Sequence, residues 1–152
     1  MSANTEFSEI YHIFLNSIQD YHLKNLFKEN FELGEDLLET FLIKAIAKFH
    51  NCPNIEDVDT ASKEFNFTLS IKEKNILSEL MVISWVEYNI NDIVQMELNL
   101  NDNDFKHYSE EKNLKEKREY ADKLREIASQ DMTDYGLANT NFKQWAVGDY
   151  GL

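Results

Sequence analysis

The chain has 152 residues, 43% of them apolar, and a formal net charge of −13, from 15 Lys and Arg against 28 Asp and Glu. That length suffices for one real core, the apolar fraction excludes wholesale disorder, and the charge opposes general attachment to phosphate backbones or anionic membrane surfaces. Cys52 is the only cysteine, which excludes an internal disulfide, and no stretch of apolar residues is long enough to span a membrane.

The opening MSANTEFSEIYHIF has no basic region followed by an apolar run, so no signal peptide is expected, and a reducing cytoplasm is the simplest context. Pro53 is the only proline, and Gly34 is the only glycine ahead of Gly136. So few breakers predict an all-α protein, a small bundle of about four main helices. The first helix is expected over about Thr5 to Tyr21, where Phe7, Ile10, Tyr11, Phe14, Leu15 and Ile18 recur at three- and four-residue steps and share a face. Leu23 to Phe31 either continues it or breaks from it. The second helix is expected over about Glu35 to Phe49. Acids fill its first turns and Lys44 and Lys48 its last, an order that complements the helix dipole, and Leu38, Phe41, Leu42, Ala45, Ile46 and Phe49 form its stripe.

Asn51-Cys52-Pro53-Asn54 ends that helix, because a proline disfavours helical geometry at the residue before it. Residues 51–69 read as a connection, with one turn of helix around Val58 to Phe65. Ser70 and Glu73 then have capping-box spacing, and the apolar residues from Ile76 to Leu98 cover more than a narrow stripe. This third helix is expected to be central and contacted from two sides. Asn99 to Asp104 reads as a cap. A charged fourth helix follows, from Phe105 or Ser109 to about Gln130, with Leu114, Ala121, Leu124 and Ala128 as a thin apolar face.

No stretch carries an obvious chemistry. Asn99, Asn101 and Asp102 to Asp104 resemble the start of a calcium loop, but the glycine and the glutamate such a loop needs are missing, so helix capping is the better reading. His50 and Cys52 lack the further ligands a metal requires, and nothing nearby in sequence lowers the pKa of Cys52. The carboxylates read as a solvated face. Phosphate-loop, HExxH, GxSxG and dinucleotide fingerprints are absent from the sequence. No cofactor, metal or enzymatic activity is expected.

The last segment, Met132 to Leu152, has neither helical nor strand period. It holds Gly136, Gly148 and Gly151 together with Tyr135, Phe142, Trp145 and Tyr150. Such a segment cannot build its own core. Its widely spaced rings suit a peptide laid along a groove, and the fourth helix is too polar to receive them. The expected organisation is therefore a helical bundle over residues 1–131 and an extended C-terminal arm over 132–152. Phe142, Trp145 and Tyr150 folding back on the chain's own helices is the alternative; the wide spacing and the polar fourth helix favour Tyr135, Phe142, Trp145 and Tyr150 docking on a neighbouring subunit.

Three stretches, FLIKAIAKFHNC (Phe41 to Cys52), ILSELMVISWVEYNI (Ile76 to Ile90) and LNLNDNDFKHYSEEKNLKEKREY (Leu98 to Tyr120), resemble small structural proteins of tailed bacteriophages. More narrowly, they look like neck or head-to-tail connector proteins of phages infecting low-GC Gram-positive hosts. The resemblance spans about Phe41 to Tyr120 and carries no chemically specific motif. It implies a virion protein, assembled in the host cytoplasm, that forms a homo-oligomeric ring beneath the portal protein. Such a subunit would contact other neck and tail proteins and line a channel through which DNA passes without specific binding. C-terminal extensions in this group commonly reach the portal or the adjacent subunit, and an acidic wall would keep DNA from sticking. A second reading is an acidic helical module that inhibits or regulates a basic host protein, which would bind stoichiometrically and weaken strongly in salt.

Overall fold

The computed structural model describes residues 3–99 and 104–139, with the side chains of 21–22, 93–99 and 104–112 left aside. Among these residues the chain forms an all-α bundle of five helices with one small hairpin. The order is α1 (Phe7–Ser17), α2 (Tyr21–Glu29), α3 (Phe31–Lys48), β1 (Val58–Asp59), β2 (Glu64–Phe65), α4 (Ile71–Asn99) and α5 (Asp104–Ala138).

The first layer is built by caps and rings. Ile18 is extended and ends α1, and Asp20 Oδ1 then accepts from the backbone N–H of Leu23, which restarts the chain as the separate helix α2. Asn30 caps α3 by accepting from Leu33 N–H at 3.2 Å. The expected start of this helix at Glu35 is therefore too late. Gly34 lies inside its first turns, beneath the ring of Phe27, where an added Cβ would come within 3.0 Å of the ring. The glycine marks a close approach of α2 to α3, not a break.

Residues 58–65 form a hairpin, not the expected helical turn: β1 and β2 pair antiparallel, Val58 opposite Phe65 and Asp59 opposite Glu64. Asp59 explains the choice. Its carboxylate accepts from the N–H groups of Ala61 and Ser62 and from the Ser62 hydroxyl, which closes the turn locally and holds the acid below its usual range. Lys63 adopts φ 55°, the left-handed conformation that completes the reversal, and its ammonium pairs with Glu35 and Glu39 of α3. The N-terminal segment lies alongside β2. Thr5 N–H donates to Phe67 O, Phe65 N–H to Thr5 O, and Leu69 N–H to the buried Thr5 hydroxyl.

The expected capping box opens α4: Ser70 N–H donates to Glu73 Oε2 at 2.7 Å and Glu73 N–H to Ser70 Oγ at 3.2 Å. Beyond it Ile76, Leu77, Leu80, Met81, Val82, Ile83 and Val86 are all buried. The four consecutive buried positions from Leu80 to Ile83 leave no solvent face there, and α1, α3 and α5 all pack on this helix. Phe7, Phe14, Phe41, Phe49 and Phe65 complete the core.

The largest departure concerns α5. It runs to Ala138, so the expected boundary between residues 131 and 132 falls inside a helix. Leu114, Ala121, Ala128 and Tyr135, each seven residues after the last, are all buried along it. Gly136 belongs to the same helix, with the Asn51 side-chain amide over it and bonded to Met132 O at 3.2 Å. Phe142, Trp145 and Tyr150 lie outside the described residues.

Two glycine substitutions separate these environments. Gly34→Ala should destabilise the bundle by about 1–3 kcal/mol, because the new methyl must displace a packed ring. At Gly136 the added Cβ would meet Asn51 at 3.4 Å, an ordinary contact. Gly136→Ala should instead stabilise by about 0.5–1 kcal/mol through helix propensity. Urea unfolding followed by circular dichroism measures both.

Candidate functional site

The polar chemistry of the described residues collects along the seam between α4 and α5. Three acids of α4 meet three residues of α5 in antiparallel order. Glu73 meets Tyr135, Glu79 meets Asp131 and Glu87 meets Arg125.

At the first level, the Tyr135 hydroxyl lies 2.8 Å from Glu73 Oε1 and 3.5 Å from Cys52 Sγ. The bond to the carboxylate takes its proton, since charge-assisted bonds are the stronger ones. The Tyr135 ring stands edge-on to Phe49, with centroids 5.2 Å apart. Burial, and then the bonds to Cys52 and Glu73, push the phenol well above its usual range. Burial likewise pushes the Cys52 thiol up. Neither group is prepared to act as a nucleophile at neutral pH. This cluster ties the end of α5 to the start of α4 and to the turn after α3. Tyr135, expected to meet a neighbour, is a core residue of its own chain, only 6% exposed.

At the second level, Glu79 of α4 is acted on by the like charge of Asp131 of α5. Burial, and then Asp131, raise Glu79 to about 7. Its Oε2 atom is buried, and no N–H or O–H among the described residues donates to it. A cavity of about 180 Å³ adjoins, lined by residues that include Ser17, Ser78, Tyr120 and Ile127.

At the third level, Arg125 donates to Glu87 at 2.8 Å and to Asp122 at 2.7 Å, and Lys48 approaches Glu87 at 3.8 Å. The Arg125 guanidinium is thus offset by acids of its own fold. No group of three or more His, Cys, Asp or Glu is placed to hold a metal ion among the described residues. His50 Nδ1–H donates to Lys48 O at its own helix end, at 3.1 Å. The capping expected of Asn99 to Asp104 lies outside the described side chains.

A pair of partly aromatic hollows lies on the other flank of α4. Trp85 Nε1–H donates to Asp20 Oδ2 at 2.8 Å, pinning the α1–α2 turn to α4. Two adjoining hollows, of about 460 and 420 Å³, share Asp20, Trp85 and Asn89. Tyr120 borders one of them, and Leu23, Leu26, Leu37 and Tyr88 border the other. Tyr88 and Tyr120 each remain 49% exposed. Aromatic groups with one apolar and one wet end are typical of recognition surfaces.

Neither the Trp85–Asp20 bond nor the Glu79–Asp131 pair was foreseen from the sequence. The second had a signal. Asp131 stands seven residues after Leu124, a seam position on the stripe that continues to Tyr135. Comparison with known proteins adds no identification: no family model, curated protein or solved structure matches the chain.

Removing one hydroxyl tests the first level. Tyr135→Phe should lower stability by about 1–2 kcal/mol, the value of a hydrogen bond to a charged acceptor, while keeping the ring packed on Phe49. A urea titration that matches the unsubstituted chain would show that the bond contributes nothing.

Proposed function

We propose that this chain is a non-enzymatic structural subunit of a tailed-phage particle, a head-to-tail connector that packs side by side with copies of itself beneath the portal. The observation that carries the reading is a division of labour. The described residues, 3–99 and 104–139, close a core of their own, yet they leave an aromatic groove around Trp85, Tyr88 and Tyr120 at the surface. Beyond them the sequence supplies three more large rings, at Phe142, Trp145 and Tyr150. A self-sufficient body with aromatic surface to spare suits a protein that works by assembly.

The sequence resemblance over Phe41 to Tyr120 gives this assembly its setting. In it, the arm begins after the end of α5, not at Met132. Residues 140–152 reach the portal or the adjacent subunit, with Phe142, Trp145 and Tyr150 as contacts. The net charge of −13 suits a wall past which DNA slides, since a negative surface repels the phosphate backbone. The seam of α4 and α5 is the strut, at most about 44 Å long, since α4 has 29 residues at a rise of about 1.5 Å each.

Deleting residues 140–152 tests the reading, with the shortened chain made alongside the other proteins of the particle. The body should keep its thermal transition, because its core is retained, while finished tailed particles fall by at least tenfold and filled heads without tails accumulate. Undiminished assembly would overturn the role of the arm. Absence of the full-length chain from purified particles, by mass spectrometry, would overturn the function itself.

A further inference from the structure

The two hollows beside Trp85 adjoin one another through Asp20, Trp85 and Asn89, with Tyr120 of α5 bordering the larger and Tyr88 of α4 the smaller. Both tyrosines are half-exposed, and the Trp85 ring is held in place by its bond to Asp20. A fixed ring flanked by half-wet rings is a setting in which a partner's aromatic side chain can be desolvated, and such anchors carry most of the energy of recognition.

We infer that the paired hollows receive Phe142 and Trp145 from the C-terminal segment of a second copy of this chain. This docking gives the proposed assembly its receptor, and it rests on that reading for what gathers the copies. The reach of the chain decides between a second copy and the same copy. Tyr120 lies eighteen residues before Ala138 on one continuous helix, about 27 Å away at about 1.5 Å per residue. Phe142 is four residues past Ala138 and Trp145 seven, so even full extension carries their backbones at most about 14 and 25 Å from it. Phe142 stops far short of its own hollows, and Trp145 falls just short with the chain drawn tight. A neighbouring copy has no such limit. The two rings also suit adjoining recesses, because residues three apart fall on one side of a chain with three residues per turn, about 9 Å along it.

Charge favours the same occupant. Two bodies of this composition repel each other, since the whole chain carries −13. Residues 140–152 hold one cation, Lys143, and one anion, Asp149, so this segment approaches another copy without that penalty. Lys143 stands between Phe142 and Trp145, and the smaller hollow is bordered by Asp20 and by the exposed Asp92. Lys117 borders the larger one. With Phe142 beside Tyr88 and Trp145 beside Tyr120, Lys143 faces the two aspartates and Asp149 lies toward Lys117. The contact joins two different surfaces, so repeated from copy to copy it runs head to tail, the geometry from which rings close.

The experiment places the photo-crosslinker p-benzoylphenylalanine at Trp145 of the full-length chain. Isotopically heavy and light preparations are mixed and irradiated, and the crosslinked peptides are mapped by mass spectrometry. At about 1 mM, the effective concentration that gathering supplies, heavy–light crosslinks should map to residues 85–92 and 117–120. Diluted about a hundredfold the yield should fall by at least about tenfold, because an arm alone does not hold free copies together. Tyr120→Glu, at a half-exposed position, should cut the yield by about tenfold with the circular dichroism unchanged, and Tyr120→Phe should keep it. Crosslinks confined to heavy–heavy and light–light pairs would put the segment on its own chain and overturn the inference. So would heavy–light crosslinks that map away from the hollows, a yield that Tyr120→Glu leaves unchanged, or no crosslink at about 1 mM. Failure of the connector role reads differently: a chain absent from particles would leave this contact standing, whereas tailed particles that contain the chain but lack the crosslink would overturn the contact alone.

Discussion

The constraint on which the rest of this structure depends is the circumference of α4. A surface helix needs one partner, but a helix apolar nearly all round must be enclosed. From Leu80 to Ile83 every side chain of α4 is buried, so no single neighbour can cover it. α1, α3 and α5 each supply one apolar stripe and α4 gives each a surface. α1 and α2, at 11 and 9 residues, are below the length at which isolated helices hold together in water, so their stability comes from this packing. The hairpin and the strand-like N-terminus have a related task, since Phe65, Thr5 and Leu69 are all buried beside the start of the same helix.

That logic explains what the sequence made legible. Helices with a strong apolar period and a local stop signal were recoverable: the face of α1, the stripe of α3, and the start of α4 at Ser70 and Glu73, where both partners of the capping box lie within one turn. Features settled by distant partners were not. Gly34 reads as a breaker until Phe27 is seen lying over it. Val58 to Phe65 is short enough to suit a helical turn, and only the Asp59 turn and the adjacent N-terminal segment favour pairing. Tyr135 was misplaced for a different reason. Taken with Phe142, Trp145 and Tyr150 it looks like part of an arm, whereas counted in sevens from Leu114, Ala121 and Ala128 it is the next seam position. The polar residues around it, Thr133, Asp134 and Gly136, hid that period.

The seam combines a thin apolar stripe with three different polar contacts, and their magnitudes assign them different tasks. Alanines at two of the stripe positions bury little area but allow close approach of the helices. Glu87 with Arg125 is an exposed pair, its guanidinium side chain 46% accessible, so its contribution is within about 0–1 kcal/mol. The Tyr135–Glu73 bond is better shielded and anchors the far end. Burial and the charge of Asp131 hold Glu79 above its ordinary range, so its ionised form is disfavoured at the seam. Their common effect is to fix register. Sliding α5 by one turn would set Arg125, Asp131 and Tyr135 against the wrong neighbours at once, so the polar contacts specify an alignment that small apolar residues alone would leave loose.

The same scale bears on how an aromatic C-terminal arm would work. Burying one large ring removes 150–250 Å² from water, a gross gain of about 4–6 kcal/mol. Three rings give about 12–18 kcal/mol. Against this stand an association cost of about 4–15 kcal/mol and a backbone ordering cost of about 1–2 kcal/mol for each residue of 140–152. The opposing terms match or exceed the gain, so an arm alone would not hold two free copies together. It becomes decisive once another contact has already met the association cost, because docking is then intramolecular and the local concentration is high. A ring of bodies in contact supplies that condition at every interface. Under the proposed function, a bundle with a ring-bearing tail would therefore suit assembly on demand: copies would stay apart until a template gathered them, and the arms would then make the gathering hard to reverse.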